Sequence, residues 1–101
     1  MKRLHVTTLV IGGGPAGLTA ATGLAPHSDV LVLEREAVAG GIPRHCDHSG
    51  FGLRDLHRNL RGPAYAERLV KRAEGAGVRI MTRAMVTGWH DAHTVEVTSP
   101  G

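Results

Sequence analysis

The chain of 101 residues predicts an α/β fold built on a short parallel sheet. Two observations predict it. Apolar, β-branched runs alternate with helical segments, and the first run stops on a dense glycine cluster that opens straight into a helix. The composition suits this reading. Hydrophobic residues make up 42% but aromatics only 3%, so the apolar content is mostly Ala, Val and Leu, which favour close helix-on-sheet layers. The length allows one small domain and not two.

His5 to Ile11 is rich in β-branched residues and ends at Gly12, which reads as a buried parallel strand. Pro15 to Ala25 reads as a helix of small residues, with proline at the first helical position, where its missing N–H costs nothing. Asp29 to Leu33 is a second short strand, ending in Glu34. Together they have the size of a strand–helix–strand unit. From Ala37 to Gly62 the pattern breaks. The segment gathers glycine, proline, His45, His48, His57 and four arginines, Arg44, Arg54, Arg58 and Arg61. A loop of this length in a small domain is expected to bind something, with one helical turn near Leu53 to Leu60. Gly62-Pro63 opens a helix in which Ala66, Leu69, Val70 and Ala73 follow the helical period. Glu67 and Lys71 pair on its flank, and Gly75 and Gly77 are candidates to end it. Val78 to Met81 is a third strand. Ala84 to Gly88 and Thr94 to Thr98 read as two more, joined by a polar turn at His90-Asp91-Ala92-His93, with Trp89 expected to pack.

The formal charge is +3 and the isoelectric point near 9.8. The basic residues are dispersed and lack interleaved aromatics, so nucleic-acid binding is not expected. The single cysteine, Cys46, excludes an internal disulfide and a CxxC pair. It fits a reducing cytoplasm. The apolar stretch near the N-terminus is too short for a signal segment or a membrane span. Cys46, Asp47 and His48 are adjacent in one loop and do not make a closed ligand set, so no metal is expected. A reactive thiolate needs an electropositive setting, which Arg44 and the histidines could give Cys46. The simpler expectation is a loop that meets a cofactor through backbone groups.

Gly12, Gly14 and Gly17, with Gly13, Pro15 and Ala16 between them, stand at GxGxxG spacing between a strand and a helix. The first glycine permits the tight turn, the second lets backbone approach a pyrophosphate, and the third lets helix and strand pack closely. The helix N-terminus offers free N–H groups to phosphate. Glu34 follows about 20 residues on, where a carboxylate accepts the ribose hydroxyls of an adenosine. It would repel a 2′-phosphate, although the adjacent Arg35 could accommodate one. The expected fold is therefore Rossmann-like.

Ile11 to Gly17, Glu34 and the pair Gly40-Gly41 resemble the two-dinucleotide-binding-domain flavoproteins, the pyridine nucleotide–disulfide oxidoreductase-like group. The loop from Gly41 to Leu53, including Ile42 and Cys46, and the Gly62-Pro63-Ala64-Tyr65-Ala66 run are similar to a subgroup. That subgroup holds the FAD subunits of sarcosine oxidase-like, opine oxidase-like and cyanide synthase-like enzymes. The resemblance implies an FAD/NAD(P)-binding domain of three parallel strands, flanking helices and the start of a β-meander. It implies FAD on this site, held by residues 12–17, Glu34, Arg35, Gly40, Gly41, Ile42 and Cys46, with residues 37–62 as the cofactor-site loop. It implies hydride transfer from an amine, amino-acid-like or polyol substrate, and another oxidoreductase subunit as a partner. Lone Cys46 excludes the disulfide-exchange branch. Family members are several-fold longer, so residues 1–101 are expected to be the N-terminal part of such a domain, truncated before the nicotinamide-binding portion. Alone, the chain is expected to bind FAD weakly and turn over nothing. The competing expectation is a non-catalytic fragment or small subunit that grips only the ADP part of a dinucleotide.

Overall fold

A computed structural model describes residues 3–41, 45, 50 and 60–99. In chain order the elements are β1 (Thr8–Ile11), α1 (Pro15–Leu24), β2 (Val30–Leu33), α2 (Gly62–Gly75), β3 (Arg79–Met81), β4 (Met85–Asp91) and β5 (Thr94–Thr98). The first three strands form one parallel sheet in the order β1-β2-β3. Thr8 faces Val30 and Ile11 faces Leu33 in register, and Leu31 to Leu33 face Arg79 to Met81. β4 and β5 form a separate antiparallel hairpin. This is the Rossmann-like α/β architecture expected from the sequence.

Strand side chains alternate between the two faces of a sheet, and here the alternation sorts the core into two clusters. Val30 and Val32, with Val10 and Ile80, meet Leu18 and Ala21 of α1 and Leu69 and Ala73 of α2. Leu31 and Leu33, with Leu9 and Met81, turn the other way toward Ala84, Val6 and Val86. All four residues of β2 are buried, as a central parallel strand covered on both faces should be.

Several elements differ from the sequence expectation at their ends. β1 is paired only from Thr8, because β2 begins at Val30 and offers no partner to His5 through Thr7. α2 runs through Gly75, and the chain leaves the helix at Gly77, whose φ is +98°. Ala66, Leu69 and Ala73 are buried, while Val70 is half-buried. The hairpin turn is tighter than expected. β4 continues through His90 and Asp91, leaving Ala92 and His93 at the tip. There the Asp91 carboxylate accepts the His93 N–H at 2.8 Å, an Asx-type turn that makes a longer loop unnecessary. Trp89, expected to pack, is 72% exposed. The strand register shifts between Val86 and Gly88 and again between Trp89 and Asp91. Such irregularities re-aim side chains. The expected helical turn at 53–60 lies, apart from Leu60, outside the described residues.

Candidate dinucleotide site

The site begins where β1 ends. Gly12 donates its N–H to the Leu33 carbonyl at 2.8 Å, which ties the end of β1 to the end of β2. The chain then turns at Gly12 with φ +104°, a conformation that side chains disfavour, and enters α1 with Gly14 as the N-cap and Pro15 in the first turn. At Gly17 a Cβ would collide with the Gly12 carbonyl oxygen and lie 3.3 Å from Val10 Cγ1. Only glycine lets α1 lie this close to β1. The helix N-terminus carries no side-chain cap. The N–H groups of Ala16 and Gly17 therefore have no intrahelical acceptor and, among the described residues, no other partner. They are donors aimed out of a positive dipole end.

Glu34 lies at the end of β2 and is buried, with 8% exposure. Its Oε1 accepts the Gly13 N–H at 2.9 Å and its Oε2 accepts the Glu36 N–H at 2.7 Å. Each carboxylate oxygen has two lone pairs, so each keeps one for a further donor. The carboxylate thus reaches the glycine turn directly, and the ribose of an adenosine placed beside that turn would find acceptors.

Gly40 and Gly41 close the cradle from a third direction. The Gly40 N–H donates to the Gly13 carbonyl at 2.7 Å, and a Cβ at 40 would stand 2.6 Å from the Ala66 Cβ of α2. Gly41 presses on the backbone of Gly14, where a Cβ would come within 2.9 Å of its Cα. The backbone just after β3 completes the arrangement. Arg83 donates its N–H to the Glu36 carbonyl and Ala84 to that of Glu34, both at 2.9 Å. Arg83 holds a left-handed φ of +52°, which costs a side-chain-bearing residue energy and persists only where neighbours impose it. Arg35 and Arg83, with Met85, Thr87 and Thr98, line an adjoining cleft of about 320 Å³. The Arg35 side chain is 72% exposed, and its Nε lies 3.9 Å from Glu36.

Thus Gly12, Gly13, Gly14, Pro15, Ala16, Gly17, Glu34, Gly40 and Gly41 come together, with Arg35 at the rim. Ile42 and Cys46 lie outside the described residues, as do Asp47 and His48, while His45 is exposed. Sequence reasoning missed Glu36, Ala39, Ala66 and Arg83. The first and last supply backbone groups, which carry no residue signature. Ala39 and Ala66 are recognisable only as small residues against glycines 13 and 40. Among the described residues no three His, Cys, Asp or Glu side chains gather in a metal-binding group, and no helix is long and apolar enough to cross a membrane.

A parallel sheet, an uncapped helix N-terminus over a glycine turn, and an acid at the next strand end define a dinucleotide-binding module. Residues 10–73 match the NAD(P)-binding Rossmann-like domain, and the chain belongs to that family. No curated protein sequence matches the chain significantly. Among solved structures it is similar to L-proline dehydrogenase from P. horikoshii, at 26% identity and a TM-score of 0.80, over 97% of this chain and 20% of that one. It is similar also to thioredoxin reductase from Lactococcus lactis, at 27% identity and a TM-score of 0.72, over 94% of this chain and 33% of that one. A thioredoxin reductase from Streptococcus pyogenes matches at 26% identity and a TM-score of 0.69, over 83% and 26% of the two chains. The chain therefore spans a third or less of each of these oxidoreductases.

Proposed function

We propose that this chain is the N-terminal part of the FAD-binding domain of an oxidoreductase and that it grips the ADP half of the cofactor. The observation that carries this reading is the buried Glu34 carboxylate, joined to the glycine turn and keeping a lone pair on each oxygen beside the open N-terminus of α1. In this reading Ala16 and Gly17 N–H groups hold the pyrophosphate and Glu34 accepts the ribose hydroxyls. Pro15 in the first turn and Gly40-Gly41 against it favour FAD among dinucleotides, through the resemblance those residues carry. When bound, the flavin supplies the hydride acceptor. The chain's own residues hold and orient it, and by the resemblance residues 37–62, with Ile42 and Cys46, belong to the cofactor-site loop. The substrate class is an amine, amino-acid-like or polyol compound with a C–H next to nitrogen or oxygen. The likeness to an L-proline dehydrogenase supports the nitrogen side of that range. The reading also includes a second oxidoreductase subunit as partner and a cytoplasmic location.

A second reading rests on Arg35 and Arg83, which line one cleft at the rim. Two guanidinium groups there would suit the 2′-phosphate of an NADP-type ligand. Titration calorimetry with ADP and with 2′-phospho-ADP separates the two. The FAD reading expects ADP to bind and the 2′-phosphate to weaken it. It also expects Glu34→Ala to lose about 10-fold or more in ADP affinity, because hydrogen bonds to a charged acceptor disappear. Unchanged ADP binding by Glu34→Ala counts against the site, and tighter binding of 2′-phospho-ADP favours the second reading.

A further inference from the structure

The contacts of Glu34 exceed what a ribose acceptor needs. Its two oxygens are each occupied by a backbone N–H before any nucleotide is present. One of those donors is Gly13, the residue just before the N-cap of α1. The carbonyl of Gly13 in turn accepts the Gly40 N–H. The backbone at Gly13 is therefore held on both sides, by a carboxylate through its N–H and by the Gly40 amide through its carbonyl. The Glu34 backbone is itself fixed twice, its N–H to the Met81 carbonyl and its carbonyl to the Ala84 N–H, both at 2.9 Å. A Cβ at 13 would sit 3.1 Å from Ala39 Cβ and 3.2 Å from Glu34 Cβ, so a side chain fits there only if these neighbours give way.

We propose that Glu34 is a positioning residue for the phosphate-binding turn, setting the shape of residues 12–14 in the free protein, in addition to accepting ribose hydroxyls. The inference deepens the FAD reading and rests on it only for the nucleotide part. A glycine turn has little conformational preference of its own, and a loop that must order on binding loses affinity to that cost. A buried carboxylate is a strong, directional acceptor for amide N–H groups. By clamping Gly13 it orders the turn in advance. It also couples the two subsites, because the group that accepts the ribose is the one that shapes the pyrophosphate cradle.

The test begins without ligand. In the wild-type chain a through-hydrogen-bond scalar coupling is expected between the Gly13 amide nitrogen and the Glu34 side-chain carboxyl carbon, and its absence overturns the proposal. In Glu34→Gln the side chain has one acceptor oxygen and an NH2 donor, so Gly13 or Glu36 must lose its partner. Amide hydrogen exchange should quicken about 10-fold or more at one of them, with the Val32 amide in the core unchanged. Equal exchange at both amides in the two proteins overturns it. The nucleotide arm uses ADP and 2′,3′-dideoxy-ADP, which lacks the hydroxyls. Positioning expects Glu34→Gln to weaken both. A loss confined to ADP overturns positioning and leaves the ribose contact standing. A wild-type chain that binds neither nucleotide overturns the FAD reading instead, and the coupling and exchange results decide the positioning role by themselves.

Discussion

The same three strands present two apolar faces, and the faces are covered differently. On one, α1 and α2 press Leu18, Ala21, Val30, Val32 and Ala73 to 1% exposure or less. On the other, Leu31 and Leu33 are buried with Ala84, but the hairpin beyond leaves Met85, Trp89 and Val97 in solvent. The difference follows from the connections. A parallel strand pair needs a long crossover, and here each crossover contains a helix that returns across the sheet. The hairpin closes on itself and contacts the sheet mainly through its first residues. The site belongs to the helix-covered side. α1 begins in the glycine turn, and α2 meets Gly40 through Ala66. The hairpin side reaches the site through the backbone N–H groups of Arg83 and Ala84, just before β4, and through Met85, Thr87 and Thr98 in the cleft at its rim. Substitutions should therefore damage fold and site together on one side and neither on the other.

The largest effect that would test this contrast is Leu18→Ala. It empties the centre of the helix-covered cluster and should cost about 2–5 kcal/mol of stability in denaturant unfolding. A loss under about 1 kcal/mol would mean that this face is not the main core. Next comes Gly17→Ala, whose methyl meets the Gly12 carbonyl oxygen. The helix must move away from β1, at about 1–3 kcal/mol, and ADP affinity should fall with it. Full affinity in a destabilised Gly17→Ala protein would show that the cradle is independent of helix packing. On the hairpin, Trp89→Thr should change stability by no more than about 0.5 kcal/mol, since the side chain is exposed and Thr suits a strand. A larger loss would mean that the indole packs against the fold in solution rather than standing in solvent.

The smallest effect is a pH dependence on the solvent side of α2. Lys71 donates a hydrogen bond to Glu67 at 2.8 Å, and with its charge it holds the Glu67 carboxyl below its ordinary value of 4.5. A carboxyl depressed in the folded state stabilises at pH above its unfolded value and loses that contribution as pH falls through the folded one. The stability difference between the wild-type chain and Glu67→Gln should thus be constant near neutrality and shrink below about pH 4.5. High salt should reduce it. A difference that persists unchanged to low pH would contradict the pair's role.

The sheet and its two helices were legible because their signals are periodic and local. Val30 to Leu33 is unbroken and apolar, as a doubly covered strand must be, and residues 66, 69 and 73 mark one side of α2. The glycine spacing located the turn, and the Gly17 contact supplies the reason for its third glycine. What escaped was set by tertiary geometry. The start of β1 depends on where β2 begins. The direction of Trp89 depends on two register shifts that alternation cannot foresee. The reach of Glu34 to Gly13 joins two strand ends that only the folded sheet brings side by side. The left-handed Arg83 has no sequence mark, because its conformation is imposed by two neighbouring carbonyl acceptors at residues 34 and 36.

The contact of Gly40 and Gly41 with Gly13, Gly14 and Ala66 has a consequence for how such a domain can diversify. The cradle is closed by the approach of residues 40–41 to the backbone of 13–14 and to Ala66, all of which lie outside the stretch from 42 to 59. Chain entering and leaving that stretch is anchored at Gly41 on one side and at the start of α2 on the other. Substitution within 42–59 can therefore change what the loop offers a cofactor or substrate while the contacts of the glycine turn with residues 40, 41 and 66 stay as they are.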